Sequence, residues 1–280
     1  MRITVAQVDC RLGDIDGNLQ RVEQVLAEAP RSDIVVFPEL NLTGYSIGDV
    51  EVDLAMEADD DRLLRLARQA GSAGLVLGFV ESPADSVHQY NSAGYYEDGR
   101  PLHVHRKLYL PTYSIFEERK VFSPGQTMRA FTSRAGGRMA ILTCNDAWQP
   151  QLAFVAVQDG ARVLLVPTAS AQSLFPERYD SRGYWRGITR FYARMFQTFV
   201  VFANRVGSEG KLQFWGGSHV VDPWGEVIAE ATTGTEDLLT VDVDLGAVRR
   251  RRTEVPLIKE ARLGLLNREI ERLIAAGGDM

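Results

Sequence analysis

Runs in which almost every position is apolar recur along the chain, and between them apolar residues fall at helical spacing. Residues 3–8 form a short β-rich run. Leu19, Val22, Val25 and Leu26 then follow the period of a helix, with Asp16 or Asn18 available as its N-cap. Residues 33–37 hold the continuous apolar run expected of a strand covered on both faces, and it ends at Pro38-Glu39. The layout returns later. Residues 139–143 predict a strand that stops at Cys144, residues 150–159 a helix with Pro150 in its first turn, and residues 161–166 a second buried strand ended by Pro167. Two strand–helix–strand blocks predict an α/β protein with related halves, although the halves are not alike enough in sequence to form a repeat.

Between the blocks, residues 60–70 read as a helix and residues 74–80 as a strand. Residues 91–96 and 101–106 predict a hairpin around Asp98-Gly99. After the second block come a helix over 184–197, strands over 199–204 and 217–222, a turn at Pro223-Trp224-Gly225-Glu226, and strands over 227–229 and 239–243. A tail helix is expected over 257–275. No low-complexity linker interrupts this, so residues 1–280 read as a single domain with about 257–280 as its tail.

Composition narrows the function. An apolar fraction of 45% and a charged fraction of 24% over 280 residues are those of an ordinary globular chain. The formal charge of −6 gives no basic field for nucleic acid; the one dense basic stretch, Arg249 to Arg252, reads as a solvated face or a set of salt-bridge partners. No stretch approaches the ~18 apolar residues that cross a bilayer. The N-terminal residues carry Asp9 where a signal peptide needs an apolar core. Two widely spaced cysteines, Cys10 and Cys144, are no disulfide framework, and the expectation is a cytoplasmic protein without membrane or nucleic-acid partners. Lys stands only at 107, 120, 211 and 259 among 31 basic residues, which raises the chance that a given Lys is needed as a compact ammonium.

Open α/β folds place ligands at the carboxyl ends of their strands. Glu39 and Cys144 both stand just past a buried strand. A thiol attacks only as thiolate and needs a base; none of the four His is comparably placed, but a buried Glu39 could take the proton. The loop 105–119 mixes charge and aromatics around Lys107 and Pro111. Taken singly, Glu39 could equally cap a helix, Lys107 make a surface ion pair and Cys144 pack as a small hydrophobe. Cys10, Trp185, Trp215 and Trp224 read as packing residues. No cluster of His, Cys and acids has metal-ligand spacing, so no metal or other cofactor is expected and chelators should not inhibit.

Phe37-Pro38-Glu39, Lys107 before Leu110-Pro111, and Cys144 together resemble the nitrilase (carbon–nitrogen hydrolase) superfamily, in its amidase-like branch. Leu42-Thr43-Gly44-Tyr45, Phe122-Ser123-Pro124-Gly125, Asn204-Arg205-Val206-Gly207, Gly217-Ser218-His219 and Asp222-Pro223-Trp224-Gly225 extend the likeness from about residue 3 to about residue 256. The resemblance implies a four-layer αββα sandwich of two mixed sheets, assembled as a homodimer or higher homo-oligomer. It implies that Cys144 attacks an amide or nitrile carbon, that Glu39 moves the protons, and that Lys107 with the N–H after Cys144 holds the oxyanion. Glu118, in a Phe-x-Glu pattern, would position Lys107 or the substrate.

Tyr113 and Trp148 are the aromatic pocket candidates, and Asn145 and Ser170 complete the expected substrate contacts. Arg178, Arg182 and Arg186 could meet a substrate carboxylate or line a solvated helix face. The order Cys144-Asn145-Asp146 lacks the Trp-Glu that tends to follow the cysteine of nitrilases proper and favours an amidase. The loop 110–116 also looks like that of the glutaminase domains of NAD synthetases, but 280 residues leave no room for a synthetase and no phosphate-binding Gly motif supports one. An Arg-Phe-Pro-Glu motif found in some family amidases is missing, which argues against recognition of a dicarboxylate monoamide. The expected reaction is hydrolysis of a small aliphatic amide or N-carbamoyl compound through a thioester. A true nitrilase and a non-catalytic binding or regulatory member are the alternatives.

Overall fold

The computed structural model describes residues 1–29, 31–112, 117–173 and 180–278. The chain begins with β1 (Arg2–Gln7), α1 (Ile15–Glu28), β2 (Ile34–Val36), α2 (Asp61–Gln69) and β3 (Gly74–Glu81), followed by the hairpin β4 (Tyr90–Glu97) and β5 (Arg100–Arg106). Asp98 and Gly99 have φ of 56° and 70°, the pair of left-handed residues that a tight two-residue hairpin turn requires. The second half runs β6 (Phe131–Ser133), β7 (Gly137–Ile141), α3 (Pro150–Gln158), β8 (Val163–Thr168), α4 (Ser181–Phe196) and β9 (Phe199–Asn204). It continues through β10 (Val206–Glu209), β11 (Leu212–Trp215), β12 (His219–Val221), β13 (Val227–Glu230), β14 (Asp237–Asp242), α5 (Gly246–Glu254) and α6 (Leu263–Ala275).

Two six-stranded sheets result, ordered β14-β1-β2-β3-β4-β5 and β13-β12-β9-β8-β7-β6. In each, three parallel strands (β1, β2, β3 and β7, β8, β9) are flanked on both sides by antiparallel ones. The halves are therefore the same topology twice, as the two sequence blocks implied. Alternation along the strands sends Ile3, Val5, Ile34, Val36 and Val76 to meet Met139, Ile141, Val163, Leu165 and Val201, which packs the sheets face to face. The opposite faces bury Val35, Phe37 and Leu77 under α1 and α2, and Leu142, Leu164 and Val166 under α3 and α4. Both faces of each central strand are apolar because each is covered. The layers are helix, sheet, sheet, helix.

Three local expectations change. Helix α1 starts at Ile15 and is capped by Asp14, whose carboxylate accepts the Gly17 N–H at 2.9 Å; Asn18 instead binds the backbone of Arg11 and Leu42. Strand β8 runs through Pro167 to Thr168: Pro167 lies in register with Ala203 of β9, on a stretch where β7 has already ended, so its missing N–H breaks no ladder bond. The tail helix, α6, starts at Leu263 and not at 257, and a separate helix, α5, precedes the tail. Pro256 separates them from each other's register, and the four-arginine run lies inside α5, where Arg250 pairs with Asp244 and Arg252 donates to the carbonyl of Ala161. The short strands β6, β10 and β11 carry too few residues to announce themselves by periodicity.

No residue of α6 is buried, and Leu263, Leu266, Ile270, Leu273 and Ile274 are exposed along it. Among the described residues no helix is long and apolar enough to cross a membrane.

Candidate active site

The parallel strands of both sheets deliver their carboxyl ends to one region, and three turns there hold the chemistry. The turn after β2 carries Glu39 and is closed by Leu40 at φ 49°, which lets the N–H groups of Thr43 and Gly44 return to the Leu40 carbonyl. That turn presses against β3 at Gly78: a Cβ there would come within 2.4 Å of the Leu40 nitrogen. Lys107 directly follows β5. Its backbone is held on both sides, donating to the Asn91 carbonyl at 2.8 Å and accepting the Gly125 N–H at 2.8 Å. Gly125 can sit so close only without a side chain, since a Cβ would lie 2.1 Å from the Arg106 oxygen. Cys144 follows the β7 extension in a short turn over Cys144–Trp148 and takes φ 45°, a left-handed conformation rare for a residue with a side chain.

Glu39 and Lys107 are fully buried and Glu118 nearly so. Lys107 Nζ donates to Glu39 Oε1 at 2.7 Å and to Glu118 Oε1 at 2.6 Å. Asn91 Nδ2 donates to Glu39 Oε1 at 2.8 Å, and the Ala169 N–H, just past β8, donates to Glu39 Oε2 at 2.9 Å. Burial acts to strip the proton from Lys107, but Glu118 and Glu39 together outweigh it and hold the ammonium well above its ordinary pKa. Burial likewise lifts the Glu118 carboxyl above the ordinary range, opposed by Lys107. The Cys144 thiol is pushed up by desolvation and by the Glu39 carboxylate, with Lys107 pulling the other way. The thiol is thus held in its neutral form beside a buried carboxylate and an ammonium.

A second hub joins the turns. Asp146 accepts the N–H groups of Leu108 and Tyr109 on one oxygen (3.0 and 2.9 Å), and the Thr143 N–H and His105 Nε2 on the other (3.3 and 2.8 Å). A single buried carboxylate so locks the Lys107 loop to the Cys144 turn. In the sequence Asp146 figured only in the Cys144-Asn145-Asp146 order, although Thr143 and Asp146 stand at the spacing of a capping box, and His105 was visible as the neighbour of Lys107. Asn91, which also touches the cluster, gave no local signal, and Tyr45 stood in the sequence only as the end of the family-like segment Leu42-Thr43-Gly44-Tyr45.

The expected substrate contacts fare unevenly. Asn145 Nδ2 donates to the Tyr109 carbonyl at 3.1 Å. Trp148 is partly buried beside Cys144, stacks on Tyr184 (centroids 5.8 Å) and meets Trp185 edge-on (5.6 Å). Ser170 does not present a free hydroxyl: its Oγ bonds Ser181 and receives the indole N–H groups of Trp185 and Trp215 at 3.0 and 3.1 Å. Arg182 and Arg186 both pair with Glu230 on β13. Tyr113 and Arg178 lie outside the described residues. An open cleft of about 560 Å³ between β10–β11 and the start of α4 is lined by Gln172, Ser181, Gln213 and Phe214, and none of Glu39, Lys107 or Cys144 lines it. Among the described residues no group of His, Cys, Asp and Glu is arranged to hold a metal ion.

A buried base, a fixed ammonium and a strained thiol turn can open a carbonyl-type carbon by covalent attack. The chain is 33% identical over 251 residues to the glutamine-dependent NAD(+) synthetase of Thermotoga maritima, a match covering 88% of this chain and 42% of that one. It therefore spans less than half the length of that curated relative. It is 27% identical over 266 residues to the N-carbamoylputrescine amidase of Arabidopsis thaliana, covering 89% and 88% of the two chains. A variant of the amidase from Nesterenkonia sp. AN1, showing covalent addition of the acetamide moiety of fluoroacetamide at its active-site cysteine, is similar with TM-score 0.78 and 26% identity over 96% of each chain. A model of the carbon–nitrogen hydrolase family matches residues 2–253. A match that runs from β1 into α5 and takes in both halves of the sandwich makes the chain an enzyme that belongs to the carbon–nitrogen hydrolase family.

Proposed function

We propose that this hydrolase is an amidase working through a thioester on Cys144. Glu39 takes the thiol proton as Sγ bonds to the amide carbon, and the carbonyl oxygen becomes an oxyanion facing Lys107 and the backbone N–H of Asn145. When the carbon–nitrogen bond breaks, Glu39 returns its proton to the departing amine or ammonia. Glu39 then draws a proton from water, whose oxygen attacks the thioester; the acid leaves and the thiol is restored with that proton. Glu118 keeps Lys107 in place throughout.

The observation that carries this reading is the bridging of Lys107 between Glu39 and Glu118 at 2.7 and 2.6 Å. A non-catalytic member would gain nothing from burying three charges together at such desolvation cost. The likeness to N-carbamoylputrescine amidase supports a small aliphatic amide or N-carbamoyl compound. The likeness to NAD(+) synthetases supports a second substrate, the side-chain amide of glutamine. Ammonia release is to be measured over primary amides, glutamine, carbamoyl amines and nitriles, with Cys144→Ala in parallel. The expected result is release from an amide or carbamoyl compound that vanishes in the variant. Turnover of nitriles alone, or turnover that survives Cys144→Ala, would sink the proposal.

A further inference from the structure

Glu118 receives two short hydrogen bonds on one oxygen, from Lys107 Nζ at 2.6 Å and from the Tyr45 hydroxyl at 2.5 Å, while its other oxygen is buried with no hydrogen-bond partner among the described residues. Nothing in the proton transfers assigned to Glu39 requires this phenol. Yet its placement is heavily determined. The Tyr45 N–H donates to both oxygens of Glu209 at 3.0 and 3.1 Å, and the Ser46 N–H to Glu209 Oε2 at 2.8 Å. Glu209 is in turn paired with the fully buried Arg205, which donates to the Cys10 carbonyl and lies 4.1 Å over the Phe214 ring. Tyr45 meets that same ring edge-on, with centroids 6.2 Å apart. A loop residue is aimed at the catalytic cluster by a buried ion pair and an aromatic wall.

We propose that Tyr45 is a positioning residue that keeps Glu118 ionised, so that Lys107 stays shared between two carboxylates instead of settling onto Glu39 alone. The inference rests on the amidase reading, in which Glu39 is the base. The groups facing Glu118 are Lys107 from the end of β5, Glu39 from the turn after β2, Cys144 from its own turn, and Tyr45. On the turn of Glu118 itself, Glu117 and Lys120 pair with each other in solvent at 2.6 Å. Two carboxylates and one ammonium leave an excess negative charge in a dry site, and protonating Glu118 would relieve it. The ammonium would then rest wholly on Glu39 Oε1, lowering the basicity of the group that must take the thiol proton. A donated O–H stabilises the charged form of Glu118 without adding charge. The phenol itself stays protonated, since burial and then the neighbouring carboxylates raise its pKa well above the ordinary range.

The test uses the full chain and reads the rate of Cys144 alkylation by iodoacetamide from acid to alkaline pH, with Cys144→Ala as the blank for Cys10 and ammonia release followed in parallel. Tyr45→Phe should move the acid limb of the profile up by about one pH unit. The same change in a Glu118→Gln background should move nothing, because no ionisation remains to be held. Site-specific 3-fluorotyrosine at position 45, a stronger donor of nearly the same size, should move the limb down, and it keeps the test decisive if Tyr45→Phe fails to fold. An acid limb unmoved in both position-45 variants, or an equal shift with Glu118→Gln present, overturns the inference alone. A wild-type thiol that never alkylates overturns the amidase reading and this inference with it.

Discussion

Among the described residues, Leu40 and Cys144 are two of the four other than glycine held at positive φ, and each sits in a turn that carries a residue of the candidate site. A left-handed conformation costs a side-chain-bearing residue on the order of 1–3 kcal/mol, and the turn hydrogen bonds around each must hold it. What the Cys144 turn achieves is exposure of the thiol at a strand end beside Glu39. Cys144→Ala is expected to abolish turnover while leaving the melting temperature close to wild type, because a partly exposed thiol contributes little packing; thermal melts and ammonia assays on one sample check both halves. Lys107 is more constrained. It is fully buried between two carboxylates, and a guanidinium is larger, planar and forked. Lys107→Arg should lower kcat/KM by about 10²–10³, the scale of losing one oxyanion donor, despite the unchanged charge. Near-normal kinetics for that variant would show that any cation suffices there.

At the scale of elements, the site depends on keeping two loops from different sheets in register. Lys107 leaves β5 in the first sheet and Cys144 leaves β7 in the second, and Asp146 is the hydrogen-bonded tie between them. Asp146→Ala strands the buried Thr143 N–H and His105 ring together with the part-buried N–H groups of Leu108 and Tyr109, and an expected loss of about 2–4 kcal/mol follows from leaving such donors unpaired. Denaturant midpoints measure the loss, and the remaining folded enzyme should show reduced kcat more than raised KM, since the displaced group is Lys107. Most elements were legible locally: α2 with its Asp60 cap, the Asp98-Gly99 hairpin and β9 all follow from spacing and turn residues. The start of α1 was not, because Asp14, Asp16 and Asn18 are all acceptable caps and only the chain reversal before Ile15 selects among them. Nor was the continuation of β8 through Pro167, which depends on where its neighbour stops.

Across the whole molecule, two imidazoles, one buried and one half-buried, resist protonation. Burial lowers the pKa of His219, whose Nδ1–H donates to the Gly217 carbonyl and whose Nε2 bonds the Thr189 hydroxyl, to about 4, and lowers His103, stacked on Phe131, to about 4 as well. Both would titrate near 6.5 in the unfolded chain. Between these values the unfolded state binds more protons than the folded one, so stability rises with pH through that window. The stabilisation is complete above about pH 6.5 and is lost as pH falls toward about 4, amounting to about 3 kcal/mol for fully buried His219 at the limit. Urea midpoints should fall over that range, and His219→Gln should flatten the fall relative to wild type. An equally steep decline in the variant would assign the acid sensitivity to other groups.

Local chemistry along the chain determined the two strand–helix–strand blocks, the strand ends at Glu39 and Cys144, and the resemblance that brought Lys107 and Glu118 beside them. These are readable because periodicity, caps and turn residues act within a few positions of one another. Only the tertiary structure decided that the Ser170 hydroxyl is consumed by two indoles, that Asp146 ties two loops together, and that Tyr45 reaches Glu118 across 73 residues and Ala169 reaches Glu39 across 130. Those contacts follow from how the two sheets pack face to face and how far each loop overhangs its strand. A hydrophobic pattern states which face is buried, but not which distant side chain will be waiting there.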